Sequence, residues 1–299
     1  MRILHLSDTH LDRVDAPNAR GVNATQVLSG LLGDLTGPVV LDGLDVVVVS
    51  GDLADDGSPE AYATVRELVG AYAAARNVPV VYSTGNHDER QAFTKVLGSG
   101  HLSPSGEDRA EDVVSSPAGE RAAVSHIGGY RFITLDSLVP GKGYGRISRA
   151  QLDWLRQILE VPAPEGTVLV FHHPPVTLDV AVQQALGLAD PADLAEVIRG
   201  TDVHTVLCGH FHLQLSGRLE QAAVWVTPGV VNRIDLTSAP GTERAVRGGS
   251  ATVIDLGGPH SPLIHTLHAR DPRAGETVYD LDGEQLARVI ADLGPEGHA

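Results

Sequence analysis

The sequence predicts a mixed α/β (α+β) fold, a four-layer αββα sandwich in which two mixed β-sheets face each other and helices cover the outside. Two observations carry this expectation. Apolar, β-rich runs alternate with segments of helical length as far as residue 210, whereas around 122–136 and again beyond 214 strands follow one another directly. Residues 3–6, 46–49, 80–82, 168–171 and 205–207 are short, apolar and β-rich, broken only by His5 and Thr205, the pattern of strands buried on both faces. Between them, 24–35, 59–76, 148–159 and 190–199 have the length and apolar spacing of helices. Ser58 ahead of Pro59 reads as an N-cap followed by a first-turn proline, and Ser148 ahead of Gln151 and Leu152 is a second start signal. Residues 122–126 and 130–135 flank Gly128 and Gly129, a hairpin signal. Further strands are expected at 215–219, 223–227, 252–255 and 263–267, then a terminal helix at 282–293 with 294–299 frayed beyond it. Stretches 103–121, 139–146 and 232–249, rich in Gly, Pro, Ser and charge, read as loops over the strand ends.

A chain of 299 residues with 42% hydrophobic content can bury a large core. Residues 1–235 are expected to form that core, with 236–299 completing or capping the same domain. The formal charge of -16 works against binding to nucleic acid or to an anionic bilayer, since both require a basic surface. A small soluble substrate is expected instead. Cys208 is the only cysteine, so no intrachain disulfide forms and a reducing, cytoplasmic compartment is expected. No export signal opens the sequence and no run of about eighteen apolar residues occurs, so no membrane span is expected.

Five polar clusters each follow directly on an apolar run: Asp8-Thr9-His10, Gly51-Asp52, Gly85-Asn86-His87-Asp88, His172-His173 and Gly209-His210-Phe211-His212. In an open α/β sheet, ligands gather beyond the carboxyl ends of the strands. One such cluster alone would read as turn or cap residues. Five in succession, carrying Asp, Asn and His, point to a metal site. Imidazole and carboxylate donors suit Mn, Fe, Zn or Co, and the lack of cysteine among them argues against a thiolate zinc site.

These motifs resemble those of the calcineurin-like metallophosphoesterases: D-x-H at Asp8 and His10, G-D at Asp52, G-N-H-[DE] at Asn86 and His87, a histidine after a strand at His172, and G-H-x-H at His210 and His212. Within that superfamily, Ser7 to Leu11, Gly51 to Asp55 and His172-His173-Pro174-Pro175 are most similar to the bacterial class III cyclic nucleotide phosphodiesterases. The resemblance implies two divalent ions, one held by Asp8, His10, Asp52 and His212 and the other by Asp52, Asn86, His172 and His210. Asp52 would bridge them, as a carboxylate can when two ions lie about 3.5–4 Å apart. Two ions bring about +4 against the two carboxylates, an excess that favours an anionic ester. The implied chemistry is in-line attack on phosphorus by a metal-bridged hydroxide, with His87 contacting the phosphate and protonating the leaving oxygen.

Asp55 is the candidate to orient His87. Purple acid phosphatases carry a tyrosine at this position, so a ferric centre is not expected here. His172, directly after its strand, is the expected ligand, while His173 packs or hydrogen-bonds nearby. Asp88 reads as a capping or supporting group and His5 as a buried neighbour of the site. His101, His126, His204, His260, His265 and His268 read as ordinary strand or surface residues, and Trp154 and Trp225 as core. The implied function is hydrolysis of a small phosphodiester, 3′,5′-cyclic AMP to AMP. Alternatives are a broader phosphodiesterase or phosphomonoesterase acting on 2′,3′-cyclic nucleotides or glycerophosphodiesters, and a non-catalytic scaffold of the same fold. A nuclease is disfavoured by the absence of a basic tract. The loops and C-terminal strands are available for a homodimer interface or a lid.

Overall fold

The computed structural model describes residues 1–296 apart from Pro38 and Pro117; of the tail expected to fray, 297–299 lie outside the described residues. The first half of the chain runs β1 (Arg2–Leu6), α1 (Ala24–Asp34), β2 (Val46–Ser50), α2 (Pro59–Ala74), β3 (Val80–Ser83), α3 (Arg90–Leu97), β4 (His101–Leu102), β5 (Asp112–Ser115), β6 (Arg121–Ile127) and β7 (Tyr130–Thr134). It continues with α4 (Arg149–Ile158), β8 (Thr167–Val170), α5 (Ala181–Leu186), α6 (Pro191–Ile198), β9 (Val203–Cys208), β10 (Leu215–Leu219) and β11 (Ala222–Val226). The last part holds β12 (Arg233–Ile234), β13 (Glu243–Val246), β14 (Ser250–Asp255), β15 (Leu263–His268), β16 (Thr277–Leu281) and α7 (Gly283–Leu293).

The strands form a six-stranded sheet ordered β15-β14-β1-β2-β3-β4, a seven-stranded sheet ordered β10-β11-β9-β8-β7-β6-β5, and a small sheet ordered β12-β13-β16. Both large sheets are mixed. β1, β2 and β3 are parallel, as are β7, β8 and β9, while β14 and β6 join them antiparallel. The period-2 alternation of strand side chains sets the layers. Leu4, Leu6, Val47 and Val49 pack against α1 and α2, whereas Ile3, Val46 and Val48 face Phe132, Val168 and Val170 of the other sheet. Leu169 and Val206 turn the opposite way, onto α4 and α6. The result is helix, sheet, sheet, helix, the four-layer sandwich expected from the sequence.

Local signals set most boundaries. Ser58 caps α2 by accepting from the Ala61 amide, with Pro59 in the first turn. Asp282 and Gln285 form a reciprocal capping box at the start of α7. Ser148 occupies the N-cap position of α4 without a side-chain cap bond, and the Gln151 side chain of the first turn exchanges two 2.8 Å bonds with the Asp136 backbone. Trp154 and Trp225 pack in or against the core, and Cys208 is buried.

Two of the three expected loops carry structure. Within 103–121, β5 pairs antiparallel with β6 as an outer, mostly exposed strand. Within 232–249, β12 and β13 belong to the small sheet, which β16 completes. Helices α3 and α5 also fall where no element was expected. These pieces are short or exposed, so they lack the continuous apolar run that marks a buried strand. No helix among the described residues is long and apolar enough to cross a membrane.

Candidate metal centre

Asp8 and His10 lie just beyond β1, Asp52 beyond β2, and Asn86 and His87 beyond β3; His172 lies beyond β8, and His210 and His212 beyond β9. Because these strands are parallel within each sheet, their carboxyl ends open on the same side, and all eight side chains meet there. The backbone joins the loops to one another. The Asp8 amide donates to the Gly51 carbonyl at 3.0 Å, that of His10 to Asp52 at 2.9 Å, and that of Gly209 to His172 at 3.1 Å. Asp8, His10, Asp52, His210 and His212 all have positive φ, between 46° and 72°. Such left-handed backbone costs roughly 1–2 kcal/mol for a residue with a Cβ, and the interloop bonds hold it.

Glycine is required where the loops pass closest. A Cβ at Gly209 would overlap the Ser7 hydroxyl and come within 2.7 Å of Asp8 Oδ2. One at Gly85 would run into the Asp52 carboxylate. The small residues of the G-N-H and G-H-x-H motifs therefore let the ligand-bearing loops touch.

Three groups of donors result: Asp8 with His10 and His212 and Asp52 with His172 and His210 form the floor of the cleft, and His10 with Asp55 and His87 lies nearer its mouth; the first two are the candidate pair for metal. His212 Nε2 lies 3.2 Å from Asp8 Oδ1, and His172 Nε2 lies 3.1 Å from Asp52 Oδ2. His10 Nε2 is 3.6 Å from the same Asp52 oxygen, so Asp52 faces both groups. Three of the rings are fixed from behind through Nδ1: His10 by Asp55 Oδ1, His212 by Asn232 Oδ1 and His172 by the Ser50 carbonyl, each at 2.8 Å. That arrangement leaves Nε2 as the free donor pointing inward.

The residues fit divalent cations on several counts. The Asn86 Oδ1 and His172 Nε2 atoms are buried with no hydrogen-bond partner among the described residues, although such groups are ordinarily satisfied. The Nε2 atoms of His10 and His212 face each other at 3.2 Å, which suits two lone pairs converging on one ion. Burial and then His172 lower His210 to about 3, and burial outweighs the Asp55 bond to lower His10 as well, so both rings are neutral as ligation requires. Burial would raise Asp52, but His172, His87 and His10 overcome it and hold the carboxyl well below its usual range.

His87 stands apart from the two groups, exposed at the mouth of the cleft. Its Nδ1 is 3.2 Å from Asp55 Oδ1, the same oxygen that accepts from His10. Asp55 thus sits between His10 and His87. The His87 amide donates to Asp52 Oδ1 at 2.9 Å. Desolvation lowers the His87 ring, but Asp52 and then Asp55 raise it to about 10.

Among the other singled-out residues, His173 is buried with Nδ1 2.8 Å from the Ser137 hydroxyl, outside both donor groups. Asp88 accepts from the Leu53, Ala54 and Gly85 amides and from the Tyr62 hydroxyl, bracing the Asp52 and Asn86 loops together. His5 is buried against Ser50. Asn232, which orients His212, was not foreseen: it follows no strand run and carries no motif spacing.

A family model described as calcineurin-like phosphoesterase matches residues 1–214. The chain is 39% identical over 303 residues to a cAMP/cGMP dual specificity phosphodiesterase of Mycobacterium tuberculosis, covering 98% of this chain and 86% of the relative. It is 30% identical over 216 residues to the 3′,5′-cyclic adenosine monophosphate phosphodiesterase of Escherichia coli, covering 72% and 70%. At the level of fold, a purple acid phosphatase from yellow lupin seeds matches with a TM-score of 0.52 at 13% identity, covering 96% of this chain and 55% of that one.

Proposed function

The chain belongs to the calcineurin-like phosphoesterase family and is a hydrolase of phosphoric esters, and from that premise we propose a phosphodiesterase whose preferred substrate is a 3′,5′-cyclic nucleotide, cyclic AMP first, converted to AMP. The observation that carries this reading is the pair of donor groups facing a common Asp52, with His87 beside them and its Nδ1 turned to Asp55. The names of the two relatives support the cyclic nucleotide class. Residues from 236 onward belong to the same domain in this reading, supported by the pairing of β14 with β1.

Asp8, His10, Asp52 and His212 would hold one divalent cation, and Asp52, Asn86, His172 and His210 the other. Bound there, the pair would supply Lewis acidity toward the phosphoryl oxygens and a water acidic enough to serve as nucleophile near neutral pH. His87 has Nδ1 turned to Asp55, which leaves its Nε2–H for the substrate. It would donate to a phosphoryl oxygen and then pass that proton to the departing 3′ alkoxide. Charge neutralisation at Asp52 would lessen the pull that raises His87, returning the ring toward the range where a general acid works best.

The test is hydrolysis of bis(p-nitrophenyl) phosphate and of cyclic AMP by the folded protein, before and after chelation and after readdition of Mn or Zn. Turnover of both that disappears with chelator and returns with metal is expected. Folded, metal-replete protein that leaves both diesters intact would sink the reading.

A further inference from the structure

The cleft above the metal centre has walls that the hydrolysis itself does not need. Val182 and Leu186 of α5, Val289 and Leu293 of α7 and Ile234 of β12 make them mostly apolar. From the small sheet, two polar side chains, Glu243 of β13 and Tyr279 of β16, reach into the same cleft. The Tyr279 hydroxyl donates to Glu243 Oε1 at 3.1 Å, and the Arg20 guanidinium lies 4.3 Å from the centre of the Tyr279 ring. Glu243 is therefore held in place by one oxygen. Its other oxygen, Oε2, makes no hydrogen bond among the described residues. The small sheet is tied to the metal centre, since the Ile234 amide donates to the His212 carbonyl at 2.9 Å.

A carboxylate in a site for an anionic ester cannot serve the phosphate, because the two charges repel. It can serve a part of the substrate that presents N–H donors. A flat heteroaromatic ring, apolar on its faces and polar at its edge, fits mostly apolar walls in which Gln183 has its Oε1 taken by the Leu178 amide and Glu243 offers a fixed acceptor. An ionised carboxylate accepts only, so it favours an edge carrying an amino group over one carrying a carbonyl or nothing.

We infer that Glu243, positioned by Tyr279, is the specificity residue for the nucleobase, its free oxygen accepting the exocyclic amino N–H of a purine such as adenine. This rests on the cyclic nucleotide reading above. Tyr279 acts through Glu243 and is a positioning residue.

The experiment compares kcat/KM of the metal-loaded enzyme on three substrates: cyclic AMP, the cyclic monophosphate of purine riboside, which lacks the 6-amino group, and bis(p-nitrophenyl) phosphate, which lacks a base. The wild type is expected to prefer cyclic AMP over the 6-unsubstituted analogue by about 10- to 100-fold, the range of one hydrogen bond to a charged group. Glu243→Ala brings that ratio close to one, mainly through a higher KM for cyclic AMP. Glu243→Met, of similar length but without an acceptor, does the same should the smaller residue unfold the small sheet, and Tyr279→Phe falls between. A wild type that treats the two nucleotides alike overturns the inference, as do Glu243 variants that keep its ratio or slow all three substrates by one factor. A wild type that cleaves the aryl diester but neither nucleotide removes the cyclic nucleotide reading itself, and this subsite with it.

Discussion

His87 and Asp52 lie one hydrogen bond apart, yet replacing them should have different consequences. Asp52→Asn removes a negative charge from between two donor groups, so the metal content of the isolated protein should fall well below two ions per chain, and turnover with it. His87→Ala touches neither group. Two ions should remain bound while cyclic AMP hydrolysis slows by roughly 100- to 10,000-fold, the usual worth of general acid help. Hydrolysis of bis(p-nitrophenyl) phosphate should slow much less, because p-nitrophenolate leaves without a proton. Metal analysis beside rates on the two substrates checks this; equal losses on both, or metal loss in the histidine variant, would remove His87 from the leaving-group role. These residues were legible because each follows its strand at a fixed offset. Asn232, Glu243 and Tyr279 were not, since they reach the cleft through turns and cross-strand pairing that no local spacing records.

Strand β4 has two residues, but one of them bolts the large sheets together. His101 Nδ1 lies 2.7 Å from the Ser125 hydroxyl on β6, and its Nε2 lies 3.0 Å from the Thr134 hydroxyl on β7. Burial lowers the ring to about 3, partly countered by Asp108, so it is neutral in the folded protein. The unfolded chain binds this proton near 6.5, whereas the folded one does not until about 3. Stability from His101 is therefore complete above pH 6.5 and lost as pH falls toward 3, at about 1.4 kcal/mol per pH unit. Denaturant unfolding of the chelated protein between pH 7 and 4 should show a shallower acid slope in His101→Gln than in the wild type; parallel slopes would refute the assignment. The elements that were legible, β1, β2, β3, β8 and β9, are those buried on both faces, where a mainly apolar run is required. The illegible ones, β5, β12, β13 and β16, are short and largely outside the core, so their side chains answer to neighbours rather than to a period.

At the scale of the whole molecule, a chain of net formal charge -16 encloses a centre built from buried carboxylates and imidazoles. Ions that bind this centre and not the unfolded chain stabilise the fold by mass action, about 2.7 kcal/mol at a concentration 100 times the dissociation constant. Chelation should lower Tm by several degrees, and readdition of the divalent cation should restore it. An unchanged Tm would mean that the donor groups hold no ion tightly. The layer order was readable from the sequence because strand and helix alternate through residue 210. The small sheet was not readable, since it assembles from three segments spread between 233 and 281.

Strand β1 is clamped between β2 and β14, with Leu4 opposite Val47 on one side and Val253 on the other. A nascent chain that has not yet emerged from the ribosome past residue 255 leaves one edge of β1 bare, with an unpaired row of amides and carbonyls beside Asp8 and His10. During translation the first motif to be made is thus among the last to be secured. Closure of the first sheet around Asp8 and His10 therefore waits on β14, the strand of residues 250–255.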